Sequence, residues 1–363
     1  MVRVKKKVRV GVIGAGFARK AHVPGFLAWP NVEVVAICSG HRANAEATAQ
    51  EYGIPHVVSG YEEMVRMEEV DLIDVVTPPY LHYPMVMAAL EAGKHVLCEK
   101  PMALNAGESR EMYRRAEDAG IVHLINHELR FNPTQMRMKE LIDEGFIGRL
   151  RHVILTTITS FQSDASSPWT WWSQREKGGG RLGAGGSHHI DQLRWWFGEI
   201  DGVCSRGRTF VDKRPLPNSS ETRVVDSDDF ASLLIHFANG AEGIVCLSSV
   251  ASHIRGNRVE AYGDQGSLLL DAEGMLWGAR EGEKEFRNLS LPDPMASVDS
   301  VAANVWTRSF AHLAKHIVDA IASGGTVQRG ATFYDGLRCQ QVLDATRQSW
   351  DEGQWVDIGG EPA

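Results

Sequence analysis

A strand that runs directly into glycines is the feature that most restricts how this chain can fold. Val8–Ile13 is a short apolar run within Val8-Arg9-Val10-Gly11-Val12-Ile13-Gly14-Ala15-Gly16-Phe17-Ala18-Arg19. A continuous apolar run of this length reads as a strand buried on both faces, which belongs in a parallel sheet. Gly14 permits a tight turn after it, and Gly16 lets backbone approach a pyrophosphate at a helix N-terminus. Gly14, Gly16, Phe17 and Ala18 are therefore the expected phosphate-side contacts of a dinucleotide. Arg19 stands where the usual fingerprint has its third glycine, a departure that removes the close helix–strand packing glycine allows. A plain strand–turn–helix without a ligand is the alternative. Its position at the opening of the first βαβ unit favours the cofactor.

Strand and helix signals then alternate. Val32–Cys38, Asp71–Val76, His95–Cys98 and Ile121–Ile125 read as strands, and His22–Trp29, Ala43–Tyr52, Tyr83–Glu91 and Ala106–Ala119 as helices. Repeats of this kind imply a doubly wound parallel sheet with right-handed crossovers. After residue 126 the grammar changes. Arg151–Ser160, Phe230–Phe237, Ala241–Ser249 and Arg258–Tyr262 read as strands of a mainly antiparallel sheet, and Asn239-Gly240 is a hairpin signal. Helices are expected at Ser187–Phe197, Trp306–Ala322 and Tyr334–Asp351. The expected fold class is α/β: a Rossmann domain over 1–126 and an α+β domain with a large open sheet over 127–363. The last helix is expected to pack back on the first domain.

The 363 residues suit two domains. Lys plus Arg number 38 and Asp plus Glu 46, a formal charge of −8, which argues against a nucleic-acid binder. No apolar run is long enough to span a bilayer, and the basic start Met1–Val10 lacks a signal core. Five scattered cysteines without a CxxC pair fit reduced thiols, a cytoplasmic setting and no zinc site.

Two strand ends carry chemistry. Val32–Cys38 ends in Ser39-Gly40-His41-Arg42, where an NAD enzyme usually places a carboxylate for the ribose 2′-hydroxyl. Ser39 removes that charge, and Arg42 can pair with a 2′-phosphate, so NADP(H) is the expected cofactor. Alternatively Arg42 is an exposed helix-start residue and the site takes NAD as well. His95–Cys98 ends in Glu99-Lys100-Pro101. A lysine there faces the ligand crevice of a doubly wound sheet and can exchange a proton with a substrate oxygen. Taken alone it reads rather as an exposed lysine in a strand-end turn.

Several motifs together resemble the glucose–fructose oxidoreductase/inositol dehydrogenase (Gfo/Idh/MocA) family. They are Gly14-Ala15-Gly16 with His22, Thr77-Pro78-Pro79-Tyr80-Leu81-His82, and Ala92-Gly93-Lys94-His95-Val96-Leu97-Cys98-Glu99-Lys100-Pro101. They continue through Arg130-Phe131-Asn132-Pro133, Gly145-Phe146-Ile147-Gly148, the run Gly178–Asp191 and Asp335–Asp344. The resemblance covers nearly the whole chain. It implies a bound nicotinamide cofactor, a cis Lys100–Pro101 bond, and assembly into a homo-oligomer through the open sheet. It implies hydride transfer on a small-molecule alcohol or ketone of a sugar, polyol or related ring. Lys100 carries over as the active-site lysine, His188 as the histidine handling the substrate proton, and Asp191 as a nearby carboxylate. Thr77, Pro78, His82 and Glu99 join the cofactor contacts.

One position departs from the pattern. Many dehydrogenases of the family place an aspartate four residues before that histidine, and this chain has Ala184. A cofactor-binding sensor without turnover, or a lyase or hydrolase using the nicotinamide transiently, are the alternatives this raises. Arg130 and Trp172 are candidate substrate contacts. Trp172 lies in Pro168-Trp169-Thr170-Trp171-Trp172, which reads as an apolar wall for a sugar ring or the nicotinamide, or as a covering loop. Arg130 reads equally as part of a structural turn. His189 reads as structural and Trp195-Trp196 as core.

Overall fold

Apolar runs that cannot face water on either side assemble into one parallel sheet. Its strands are β1 (Val8–Ile13), β2 (Val32–Cys38), β3 (His56–Val57), β4 (Leu72–Val75), β5 (His95–Cys98) and β6 (His123–Ile125). The computed structural model describes residues 7–254, 256–294, 301, 304–325, 327 and 329–359, so most of the basic start lies outside it. The strand order is β3-β2-β1-β4-β5-β6, with every pairing parallel. This order reverses direction between β1 and β4, which opens a crevice at their carboxyl ends.

Helices cover the sheet: α1 (Phe17–Lys20), α2 (His22–Leu27), α3 (Arg42–Tyr52), α4 (Tyr61–Met64), α5 (His82–Glu91) and α6 (Ala106–Ala119). The helix expected at His22–Trp29 is α2, and a separate short helix, α1, precedes it at the glycine turn. Further helices are α7 (Pro133–Asp143), α8 (Ser187–Phe197), α9 (Val305–Ser323) and α10 (Phe333–Glu352). The Asn105 side chain caps α6 by accepting from the Glu108 amide at 2.9 Å.

The chain divides into two compact units, Met1–Asn132 with Asp293–Leu337, and Pro133–Pro292 with Arg338–Ala363. This differs from the expected division at residue 126. The helix that returns to the first unit is α9, because its apolar stripe (Phe310, Leu313, Ile317) is buried in one cluster with β1, β2 and α2. Each such fully buried side chain contributes about 1.5–3 kcal/mol of transfer free energy. The last helix, α10, enters the first unit only through its opening turn.

The second unit is built on β7 (Leu150–Ile158), β8 (Ile200–Arg208), a small ribbon β9 (Lys213–Pro215) and β10 (Thr222–Val224), and β11 (Phe230–Phe237). It continues with β12 (Glu242–Ser248), β13 (Gly256–Gly263), β14 (Gly266–Leu270), β15 (Leu276–Arg280), β16 (Arg287–Asn288) and β17 (Val356–Asp357). The nine-stranded sheet runs β16-β15-β14-β13-β7-β12-β11-β8-β17. It is antiparallel except for β12 beside β7. The Asn239-Gly240 hairpin joins β11 to β12 as expected. Leu141, Ile190, Leu193, Trp196 and Leu343 pack on one face of the sheet. On the other face the paired residues Leu234 and Ile244 are about half exposed.

Candidate active site

In the first unit the expected cofactor residues sit at the carboxyl ends of the parallel strands. Gly14 has φ +111°, and a Cβ there would fall 2.1 Å from the Val76 carbonyl oxygen. Only glycine fits, because the turn must pass this close to the end of β4. A Cβ on Gly16 would meet no heavy atom within 4 Å, so the backbone here borders open space. Phe17 is exposed and Ala18 fully buried, so Ala18 anchors the turn while Phe17 lines its outside. Arg19, at the third-glycine position, points away and donates to Glu51 at 2.6 Å. These features fit a dinucleotide pyrophosphate laid along the turn.

Ser39 follows β2, and its Oγ accepts from the His41 amide at 3.3 Å. Arg42 opens α3, exposed, with its Nε donating to Glu46 at 2.8 Å. Thr77 follows β4, and its hydroxyl lies 3.6 Å from the Met85 sulfur. Pro78 continues extended with ψ 148° into a single 3-10 turn. His82 does not present its ring to a ligand. It is fully buried, with Nδ1 2.9 Å from the Pro101 carbonyl and Nε2 2.8 Å from the Thr77 carbonyl, so it braces two site loops from behind. Burial pushes its pKa down.

Lys100 comes next, and its bond to Pro101 is cis. Beneath it lies a charged cluster that sequence reasoning largely missed. Both ring nitrogens of His22 face carboxylates: Nδ1 is 2.9 Å from Asp74 Oδ2, and Nε2 is 2.9 Å from Glu99 Oε1. Ionised carboxylates only accept, so the ring donates from both sides as an imidazolium. Burial opposes that charge, but Asp74 and Glu99 outweigh it and raise the His22 pKa to about 10. Burial pushes the Asp74 carboxyl up, and His22 opposes it. Burial also acts on Glu99, but His22, Lys100 and Asn126 hold it down at about 2.

Asn126 Nδ2 donates to Glu99 at 2.6 Å, and its Oδ1 is buried with no protein partner, an acceptor a bound ligand can satisfy. Glu128 is buried, and burial and the Glu99 charge raise its pKa to about 8. One signal for this cluster was present in the sequence. Asp74 is a carboxylate inside an otherwise apolar interior strand, and such a charge needs a partner.

Arg130 is engaged by partners within the first unit. Its Nη2 donates to Asp335 at 2.9 Å and its Nη1 to the Gly330 carbonyl at 3.2 Å, tying the turn after β6 to the start of α10. These contacts are those of the structural-turn reading.

In the second unit His188 and Asp191 lie in the first turns of α8, both buried. They are three residues apart and so share a helical face. His189 takes the structural place expected of it. Its Nε2 meets the Thr157 hydroxyl and its Nδ1 the Gln192 side chain, each at 2.9 Å. Burial, with the Arg181 charge, lowers its pKa to about 4. Ala184 sits within a single π-helical turn, Leu182–Gly186, that leads directly into α8. Such turns are rare and frequent at functional sites.

Trp172 lines a cavity of about 320 Å³ with Phe161, Gln162, Thr170, Arg214 and Asp229. Phe161 stands edge-on to it at 5.9 Å. Arg214 holds the cavity wall by donating to the Gln162 and Asp164 carbonyls at 2.6 and 2.7 Å. Among the described residues no group of three or more His, Cys, Asp or Glu side chains is arranged to hold a metal ion. No helix of the described residues is long and apolar enough to cross a membrane.

Known proteins match this architecture along the whole chain. Residues 8–127 match the model of an oxidoreductase family with an NAD-binding Rossmann fold, and residues 136–269 match the Gfo/Idh/MocA C-terminal domain. An uncharacterized oxidoreductase of Synechocystis sp. is 30% identical over 358 residues, covering 96% of this chain and 95% of the relative. Levoglucosan dehydrogenase of Pseudarthrobacter phenanthrenivorans is 28% identical, covering 97% and 98%. A solved levoglucosan dehydrogenase in complex with NADH and L-sorbose superposes with a TM-score of 0.89 at 29% identity, covering 98% and 99%. An oxidoreductase domain protein from Kribbella flavida reaches a TM-score of 0.90 at 30% identity, covering 98% and 100%. With the strand order, the glycine cradle and the lysine after β5 all in place, the chain belongs to the Gfo/Idh/MocA family of nicotinamide-dependent oxidoreductases.

Proposed function

We propose that this oxidoreductase acts on a secondary alcohol or ketone of a sugar, polyol or related cyclic compound. The observation that carries the reading is the placement of Lys100, directly after β5 beside the switch point of the sheet, on a backbone pinned by Glu99. Relatives named for levoglucosan, D-apiose and D-glucosides support the substrate class. The Trp172 cavity supports it too, since an aromatic face beside hydrogen-bonding side chains is what a sugar ring selects.

Gly14, Gly16 and Phe17 would hold the dinucleotide phosphates, with Thr77 and Pro78 beside them. Nicotinamide, when bound, supplies the hydride acceptor or donor. Lys100, as an ammonium, orients the reacting oxygen and assists proton transfer. His188 acts as the acid/base, taking the proton on oxidation and returning it on reduction, and Asp191 is the carboxylate near it on the same helix. Ala184 leaves that chemistry to Lys100 and His188. Histidine is suited to it because its ordinary pKa lies near neutrality.

The preferred cofactor in this reading is NADP(H). Ser39 brings no carboxylate to repel a 2′-phosphate. The exposed Arg42–Glu46 pair is of the kind worth at most about 1 kcal/mol, so a phosphate can displace it. The half-exposed Leu234 and Ile244 mark the sheet face through which copies of the chain would associate.

The test is a panel of aldoses, polyols and anhydrosugars, followed by the absorbance of reduced nicotinamide. Turnover abolished by Lys100→Ala supports the reading. Tight cofactor binding without turnover across the panel refutes it in favour of a sensor. Product formed without net cofactor change refutes it in favour of a lyase or hydrolase.

A further inference from the structure

The sequence motif that the proposed chemistry leaves unused is His22. It lies on α2, far along the chain from Lys100, yet every polar group it touches leads there. Asp74 on β4 holds one side of the ring and Glu99 at the end of β5 the other, at 2.9 Å each. Asn126 after β6 donates to the same Glu99 oxygen at 2.6 Å. The second Glu99 oxygen accepts from the Lys100 backbone amide at 3.0 Å. Phe310 of α9 stacks on the ring at 3.9 Å, and Phe17 of α1 meets it edge-on at 5.5 Å. The ring is wholly buried, so water cannot substitute for any of these partners.

The charges of the cluster balance. His22 and Lys100 are positive, and Asp74 and Glu99 negative. Glu128 is the additional carboxyl, and its pKa is raised to about 8, so at neutral pH it mostly keeps its proton. A neutral side chain at position 22 would leave Asp74 and Glu99 buried without the cation between them. Glu99 would then lose the partner that fixes its orientation, and with it the anchor on the Lys100 amide.

We propose that His22 is a positioning residue that acts through Glu99 to hold the Lys100 backbone, and thereby its amine, in working geometry. This rests on the dehydrogenase reading for the meaning of Lys100, but not for the structural part of its test.

Three proteins are compared: wild type, His22→Gln, and the double variant His22→Gln/Asp74→Asn. The double variant removes one charge of each sign and keeps the fold accessible if the single variant does not fold. Two readouts are taken. In hydrogen exchange read by mass spectrometry, the peptide spanning Leu97 to Leu104 is expected to exchange about tenfold faster in the variants. The peptide of α6 should stay unchanged. In steady-state turnover of a sugar, kcat is expected to fall about thirtyfold or more, the scale of a misplaced reacting group, while KM for sugar and dinucleotide stays within about threefold.

Unchanged exchange at Leu97–Leu104 in a folded variant overturns the proposal. So does a loss that appears in KM with kcat intact. If wild type turns over no sugar, the dehydrogenase reading fails, and exchange at the Lys100 amide still decides whether His22 positions that segment.

Discussion

Replacing Asp74 with asparagine tests the buried cluster by its energetics. The native His22 pKa of about 10, against about 6.5 unfolded, corresponds to about 5 kcal/mol of stabilisation shared by the two carboxylates. Breaking a buried ion pair by removing one partner costs about 3–5 kcal/mol, a figure reached independently. The asparagine side chain would still offer an oxygen, and Glu99 would remain, so the lower end applies. At pH 6 the variant should be less stable by about 3 kcal/mol, or about 6–12 °C in melting temperature for a domain of this size.

The sign with pH follows from the raised pKa. The His22 contribution is whole below pH 6.5, fades as pH climbs towards 10, and amounts to only about 1 kcal/mol at pH 9. The gap between wild type and Asp74→Asn should therefore close on the alkaline side. Burial lowers the pKa values of His82, His123 and His189, and Glu128, at about 8, titrates in both proteins, so the difference between the two curves is what reports His22. The assay is urea unfolding of both proteins at half-unit steps from pH 6 to 9. Two curves that stay parallel across that range would refute the imidazolium and the account of the cluster with it.

Other expectations follow from single contacts. Gly14→Ala forces a Cβ to 2.1 Å from the Val76 carbonyl at φ +111°, so it should cost about 1–3 kcal/mol in backbone strain alone and abolish dinucleotide binding measured by fluorescence. Arg42→Ala should weaken NADPH binding about tenfold and leave NADH unchanged by calorimetry; equal preference in both proteins would remove the case for a phosphate contact. Trp172→Ala should raise KM for the sugar about tenfold with kcat little changed, as expected when binding surface rather than chemistry is removed. Leu234→Arg/Ile244→Arg places two cations on the exposed sheet face, and light scattering should then report a smaller assembly than wild type.

The Rossmann half was legible because its signals are local. Each interior strand is a short apolar run, each is stopped by glycine or proline, and the glycine turn after β1 is a backbone requirement visible as a residue type. The hairpin at Asn239-Gly240 was legible for the same reason. Less was visible where strands are short or their pattern weak. β3 is two residues long, and β8, β14 and β15 passed unread.

Among site residues, Gly14, Gly16 and Lys100 were read from their spacing to strand ends, which a parallel sheet converts directly into position. Arg130 could be read as a contact or as part of a turn, because its partner Asp335 lies 205 residues away and does not show in the local Arg-Phe-Asn-Pro string. His82 joined the cofactor contacts through the family resemblance, whereas both its nitrogens are occupied by backbone carbonyls.

By itself, the sequence determined that a glycine turn follows a buried strand, that parallel and antiparallel halves succeed one another, and that a lysine ends β5. These follow from the covalent limits of glycine and from apolar periodicity, which act within a few residues. Only the tertiary structure decided that α9 belongs to the first unit. It alone decided that His22, Asp74, Glu99 and Asn126 form one charged cluster under Lys100. Those outcomes depend on contacts between residues 52 to 104 positions apart or more, or on which of several partners a charge finds once water is excluded. Burial makes such pairings obligatory, and the order of the chain does not reveal them.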